Sequence, residues 1–411
     1  MRSELDQVIA RITSDLRKTN LFLQINIKTV FHFEENAKIK FIIEVQENWY
    51  LYPNIIFELA DRNFNVWWNE YDRSFKRINF GLGAQHVNFS GANDRLKFKF
   101  HTGYTNRLEL LYYRPAISKT SKFGLKVAFY FSEYKEIAVQ TIQNKQVFIK
   151  EGNRVLYSSK EFAGGMNYKL NKFWTYDIGI NLFRNRFNED MAKRYPDFLL
   201  NGNTDQTYAS AFLAAGYYDI DHLLRPTRGF SVSWIAKKTG LGVWDKYKFL
   251  SIAQIAKTAN KLFHNCYLQT AVLAQVGMDR NKRPYNLYKS LGYSDSNISG
   301  YEHYVIDGLD YIYLNNEFRY FIKSYQWNFF KIIKSESKLR IKLDIDLSGQ
   351  LNGAYVNDPF YSKNNVLVNK FLYSSGAGLN FTLNDVIQFN VIYSINHLKE
   401  TGFYFHTRKA F

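Results

Sequence analysis

Residues 339–348 read Leu-Arg-Ile-Lys-Leu-Asp-Ile-Asp-Leu-Ser, with Leu339, Ile341, Leu343, Ile345 and Leu347 alternating with Arg340, Lys342, Asp344, Asp346 and Ser348. Successive side chains of a β-strand point to opposite faces, so such a run has one greasy and one charged face. The pattern recurs at Ile387, Phe389, Val391, Tyr393 and Ile395, interleaved with Gln388, Asn390, Ser394 and Asn396. It recurs again at Leu96, Phe98 and Phe100, set between Arg95, Lys97, Lys99 and His101. A soluble sandwich also alternates, but its strands average about five or six residues, whereas a tilted membrane strand needs about 9–11. These runs are of the longer kind. They predict strands that cross a membrane.

Composition agrees. Of 411 residues, 46% are hydrophobic and 18% aromatic, with 31 Tyr, 35 Phe and 7 Trp, and only six are proline. Aromatic and β-branched residues favour strands, and aromatic rings line membrane interfaces. The mean hydropathy of −0.35 excludes a helical membrane protein but suits a barrel, whose strands carry a polar residue at every second position. No run of about 18 apolar residues offers a transmembrane helix. The single Cys266 excludes an intramolecular disulfide framework and is expected to pack within a strand. The net charge of +17 is scattered along alternating strands rather than clustered, which suits a lumen and loops facing anionic headgroups better than nucleic-acid binding.

Sixteen strands are predicted: Asn54 to about Trp68, Lys76 to Asn88, Asp94 to Tyr104, Asn106 to Pro115, Lys122 to Ser132, and Ser159 to Leu170. Then come Phe173 to Phe187, Gln206 to Asp219, Gly229 to Lys238, Trp244 to Lys257, Leu262 to Gly277, and Leu309 to Ile322. The last four are Leu339 to Gln350, Lys370 to Leu383, Val386 to His397, and Gly402 to Phe411. An even number is expected of a closed bacterial antiparallel barrel. Glu136 to Phe148 is also strand-like and is read as a hairpin extension in an external loop. Phe89–Asn93, Thr258–Lys261 and Asn384–Asp385 are short turns, expected at the periplasmic end, while Asn188–Asp205 and Met278–Gly308 are long external loops. The Lys323–Lys338 connection is longer than a periplasmic turn needs.

Ahead of residue 51 the pattern changes. Ser3 to Lys18 carries Leu5, Val8, Ile9, Ile12 and Leu16 at helical spacing, with Ser3 as N-cap. Two strands follow, Leu21 to Phe33 and Lys38 to Gln46, joined through Glu34-Glu35-Asn36. The start, Met1 to Leu16, has no apolar core of signal-peptide type, so an exported barrel is expected to begin further upstream.

These features resemble the BamA/TamA (bacterial surface antigen) superfamily of outer-membrane assembly barrels. Residues 1–50 resemble the second half of a POTRA domain, its periplasmic βααββ module, with Lys18–Lys28 matching the family's helix-to-strand passage; residues 51–411 would form the barrel. Asn88, Gly91 and Asp94 resemble the family's turn after the second strand, and His222–Phe230, HLLRPTRGF, its Pro-x-x-Gly turn. In the sixth external loop, Ser299-Gly300-Tyr301, followed by Asp307 and Gly308, resembles the Arg-Gly-Phe/Tyr motif that folds back into the lumen, where its Arg meets an acidic wall residue. Ser299 stands where that Arg is expected, and Ser makes no bidentate charged contact. Glu317 and Arg319, on the polar face of the next strand, are the candidate partners of the loop. The aromatic terminus, Phe411, is shared with most outer-membrane barrels.

The resemblance implies a membrane insertase or translocase without enzymatic chemistry, cofactor or metal. Its partners would be outer-membrane lipid and lipopolysaccharide, unfolded client proteins and periplasmic accessory proteins, and not nucleic acid. The eight histidines (His32, His86, His101, His222, His264, His303, His397 and His406) show no metal-ligand spacing, and no G-x-S-x-G elbow is present. Alternating carboxylates such as Asp344 and Asp346 read as lumen ion pairs before catalytic ones. A passive pore, a translocator for a passenger domain and an outer-membrane hydrolase are the alternatives. The mechanism implied is a weak seam between the first and last strands, with Asp61, Arg62 and Asn63 midway along the first and Gly402 opening the last.

Overall fold

The computed structural model describes residues 2–18, 22–32, 38–47, 49–118, 121–242, 247–293, 296–328 and 340–409. Helix α1 (Arg2–Lys18) is followed by an antiparallel pair, β1 (Phe22–His32) and β2 (Lys38–Glu47). The joining turn at Glu34–Asn36 lies outside the described residues. One helix and one hairpin are what the N-terminal segment supplies.

The remainder is dominated by one antiparallel sheet of sixteen strands. Its first members are β3 (Leu51–Leu59), β4 (Ile78–Val87), β5 (Arg95–Gly103), β6 (Thr105–Arg114) and β7 (Phe123–Tyr134). The hairpin β8 (Glu136–Ile142) and β9 (Lys145–Lys150) forms its own two-stranded sheet, as the Glu136–Phe148 pattern predicts. The large sheet resumes with β10 (Tyr157–Lys169), β11 (Trp174–Phe187), β12 (Asp205–Ile220), β13 (Gly229–Thr239), β14 (Phe249–Phe263) and β15 (Cys266–Gly277). It ends with β16 (Asp310–Asn328), β17 (Arg340–Asn357), β18 (Phe371–Leu383), β19 (Ile387–Asn396) and β20 (Thr401–Lys409). Each strand pairs with the next member, from β3 to β20.

Register sorts the faces. Asp346 stands opposite Asn380, Asn380 opposite Asn390 and Asn390 opposite His406, so these four share one face, and the first three are at most 2% exposed. Leu347, Leu379, Val391 and Phe403, of opposite parity along the same strands, face the other way and are exposed. Ile55, Phe57, Leu82, Phe100, Leu213 and Leu351 extend the exposed apolar face around the sheet. A water-facing surface rarely carries so continuous an apolar patch, whereas acyl chains accept one.

Three predicted boundaries are corrected. The first strand stops at Leu59, because Asn63 accepts a hydrogen bond from the Val66 N–H and caps a short helix, α2 (Phe64–Asn69). Phe64 to Trp68 is therefore helix, and Asp61 to Asn63 lie beyond the strand rather than midway along it. Strand β14 runs through Thr258–Lys261 to Phe263, and the chain turns instead at Asn265, whose φ of 58° asparagine tolerates better than the β-branched Thr258 would. Residues up to Lys246 of the predicted Trp244 start lie outside the described ones. Strand β16 continues to Asn328, paired with β17 past an irregularity between Phe321 and Lys323. That pairing absorbs the first part of the long Lys323–Lys338 connection; Leu339 and the rest of it lie outside the described residues.

The five longest connections share one end. One end carries the short turns, such as His264–Asn265 between β14 and β15. The other carries residues 60–77, the β8–β9 hairpin, a loop with α3 (Glu189–Arg194), residues 278–309 and residues 358–370. These long connections pack on one another. Val139, Leu156, Phe187, Met191, Phe198 and Tyr285 form one core, and Leu291, Ile298, Tyr301, Ile306, Leu367 and Leu372 another. The long-loop end is thus covered by an apolar cap.

Candidate functional site

The cap draws the sixth loop, residues 278–309, onto the inner face of the last strands. Gly300 adopts φ +89°, a left-handed conformation that costs a residue with a Cβ, and a Cβ there would stand 3.2 Å from that of Ser374 on β18. Its carbonyl accepts from Asn396 Nδ2 at 2.8 Å. Tyr301, 1% exposed, donates its hydroxyl to the Tyr373 carbonyl at 2.9 Å and lies 2.6 Å from His397 Nδ1. Glu302, equally buried, accepts from the Gly300 N–H and meets His406 of β20 at 3.0 Å. Asp307 accepts from Tyr293 and from Thr141 of β8, each at 2.7 Å, and Gly308 lies close enough to Val356 and the Asn357 carbonyl that a side chain would collide.

Ser299 is buried, its carbonyl accepts from Ser374 Oγ at 2.5 Å, and its hydroxyl finds no partner among the described residues. Among the described residues, the expected wall partners, Glu317 and Arg319, make no hydrogen bond or ion pair with this loop. Glu317 accepts from Asn380 Nδ2 at 2.7 Å and from Arg408 of β20 at 3.3 Å. Arg319 donates to the carbonyl of Pro226 and lies 4.0 Å from Asp346. Both lie on the buried polar face of the sheet, as their alternation requires, but short of the loop.

An arginine does reach a pair of wall acids, from the opposite end. Arg225, in the turn between β12 and β13, donates through Nε and Nη2 to both oxygens of Asp346 at 2.8 and 2.7 Å, and through Nη1 to Asp344 at 3.0 Å. This is the HLLRPTRGF segment, read from sequence only as a turn. Asp346 lies six positions from Asn352, the register partner of the Ser374 that holds the loop. At ~3.3 Å rise per residue that is ~20 Å. A side chain at position 299 could not cover that distance.

The seam is built by α2. No rung joins β3 to β20 among the described residues. Instead Asn65 of α2 receives the Phe405 N–H on its Oδ1 at 2.8 Å and donates Nδ2 to the Phe405 carbonyl at 3.1 Å. The Phe64 ring meets the Phe405 ring edge-on, with centroids 5.2 Å apart. Just before α2, Arg62 Nη1 donates to the carbonyls of Gly292 and Tyr304, each at 2.8 Å, and Asn63 Nδ2 to that of Glu302 at 2.9 Å. Gly402 is covered by the ring of Tyr404, and β20 keeps full register with β19 from Thr401 to Lys409. Phe411 lies outside the described residues.

With a sixteen-strand sheet, a sixth loop packed on its last strands and α2 set against the open edge of β20 established, comparison is informative. The chain has the fold of the BamA and CdiB barrels. BamA from Haemophilus ducreyi lacking POTRA domains 1–3 aligns with a TM-score of 0.66, covering 98% of this chain and 78% of that one at 12% identity. CdiB from Escherichia coli aligns at 0.57, over 95% and 67% at 12% identity. CdiB from Acinetobacter baumannii aligns at 0.54, over 97% and 68% at 10% identity. No protein-family model and no curated protein matches by sequence.

Relative to that BamA-like barrel, two features went unread in the sequence. One is α2. The other is a hub around the buried Arg77, which pairs with Asp61 at 2.7 Å and Glu136 at 2.5 Å under the Tyr71 ring, 3.6 Å away. It ties the first loop to the hairpin β8–β9. Between them and the sixth loop lies a cavity of about 360 Å³, lined by Tyr104, Tyr157, Tyr285, Tyr293 and Lys289 among others. Burial holds the Asp307 carboxyl well above its ordinary range, at about 6, against the pull of its Tyr293 and Thr141 hydrogen bonds.

Proposed function

We propose that this protein is an outer-membrane barrel that inserts or translocates other polypeptides through the seam between β3 and β20. The observation that carries the reading is the missing ladder. Fifteen neighbouring pairs hold the sheet together, while its two outer strands share no backbone hydrogen bond among the described residues. Strand edges left this way are templates for another strand. A client strand paired there would have its N–H and C=O groups satisfied before meeting lipid, avoiding several kcal/mol per group. The exposed apolar face and the likeness to BamA support the outer membrane as the setting, with lipid and lipopolysaccharide against the barrel. Unfolded clients would enter from the side of the N-terminal helix and hairpin, where periplasmic accessory proteins would dock.

The likeness to the two CdiB structures supports a second reading, a translocator dedicated to a secreted chain. Depletion separates the two. A general fall in other outer-membrane barrels is expected of an insertase, and loss of one secreted protein of a translocator. A cysteine pair bridging β3 and β20 tests the seam itself. Oxidation should stop client assembly and reduction restore it; full assembly by the locked barrel would refute the gate.

A further inference from the structure

The wall of the barrel contains an element that is neither strand nor loop. Phe405 sits opposite Val391 of β19 but turns its N–H and C=O away from it, toward the open side of β20, and both are taken by the single side chain of Asn65. Two reciprocal bonds to one residue are what a neighbouring antiparallel strand would exchange with it. The carboxamide is the one side-chain group that offers a planar donor and acceptor like a peptide. Asn65 is 3% exposed. Phe64 extends the imitation, meeting the Phe405 ring edge-on, and Phe405 in turn stacks on Phe389 along the outward face. On the lumen side, Arg62 and Asn63 hold the other end of the segment to the sixth loop.

We infer that α2 is a built-in stand-in for a strand: Asn65 occupies the edge of β20 and must leave before any strand pairs there. This deepens the seam reading, on which it rests. The sixth loop is then the seat of the stand-in. Glu302 bridges Asn63, through its carbonyl, and His406, through its carboxylate, so loop, stand-in and last strand form one unit. An incoming strand offers several rungs where Asn65 offers one, so exchange favours the client once it is present. Without a client, the carboxamide keeps a buried N–H and C=O from facing lipid unpaired.

The test uses the full chain in phosphatidylcholine nanodiscs. Asn65→Ala should speed amide exchange over residues 403–407 at least tenfold while β16 and β17 stay unchanged. Asn65→Asp, which accepts but cannot donate, should fall between. The gel mobility of unheated protein verifies folding of each variant, and Asn65→Gln is the reserve if the alanine variant fails to fold. A photo-crosslinkable peptide of this chain's own β20 sequence, Thr401–Lys409, is the strand probe. Its capture should rise severalfold in Asn65→Ala and vanish in an oxidised N65C/F405C pair, returning on reduction. Unchanged exchange over residues 403–407 in Asn65→Ala would overturn the stand-in. Faster exchange with capture indifferent to both release and lock would uphold Asn65 as the cover of β20 and retire strand pairing at the seam.

Discussion

Arg225 spends its charge far from where a surface turn would leave it. Its guanidinium is 14% exposed, spans both oxygens of a fully buried Asp346 and stacks on Phe321. Removing one partner of such a pair strands a buried charge, at a cost of about 3–5 kcal/mol. Arg225→Ala is therefore expected to lower the unfolding midpoint of the barrel in denaturant markedly, and Asp346→Asn in the same background should recover part of the loss. Asp307 is the other residue whose environment dictates a measurement. Its folded pKa of about 6 lies above the ordinary value of 3.8, so the folded state binds the proton more tightly. The protonated carboxyl favours the docked loop fully below about pH 4, and that advantage disappears as the pH rises through 6. Two units correspond to about 3 kcal/mol. Exchange protection of the β8–β9 hairpin, corrected for intrinsic rates, should be greater at pH 5 than at pH 7.5, and Asp307→Asn should abolish the difference. A pH-independent hairpin in the parent protein would refute this.

At the scale of elements, alternation revealed the strands because an exposed apolar face and a buried polar face impose period two on the strands between Leu51 and Lys409. That constraint acts on strand interiors and weakens at their ends. Phe64 to Trp68 looked like strand because aromatic and branched residues suit both a pleated sheet and a short buried helix, and the deciding contact, Asn63 to the Val66 N–H, is three residues long and easily mimicked. The sixth loop was visible through Gly300 and Tyr301, whose turn and packing are local. Its partners were not, since Glu317 and Arg319 share the polar face by parity but stand at the wrong height for the loop, which only the register with β17 and β18 reveals. Gly300→Ala sets the size of the local term. A Cβ at φ +89° and 3.2 Å from Ser374 should cost roughly 1–3 kcal/mol of loop docking. Limited proteolysis of residues 278–309 in the intact barrel should accelerate accordingly; an unchanged cleavage rate would mean that the loop is held by its other contacts alone.

For the whole molecule, the decisive quantity is how unevenly the sheet is held. Strands β16 and β17 share the longest ladder, running from Asp310 opposite Asn357 to Asn328 opposite Arg340, whereas no rung joins β3 to β20 among the described residues and the backbone at Phe405 is held by the Asn65 side chain of α2. Every backbone group left without a partner in lipid costs several kcal/mol, so an interior opening is prohibitive and the seam is where a sixteen-strand sheet can part most cheaply. Opening should therefore begin there, independent of which client passes. In lipid nanodiscs at neutral pH, amides of Leu51–Leu59 and Thr401–Lys409 are expected to exchange first among the membrane strands, and those of Tyr311–Arg319 and Ser348–Val356 last. A cysteine bridge across β3 and β20 should bring the outer strands toward the protection of the interior without altering β16 and β17. Equal, slow exchange at β3 and at β17 before any bridge is made would mean that a ladder closes the barrel in the membrane, and the seam would lose its claim to be the gate.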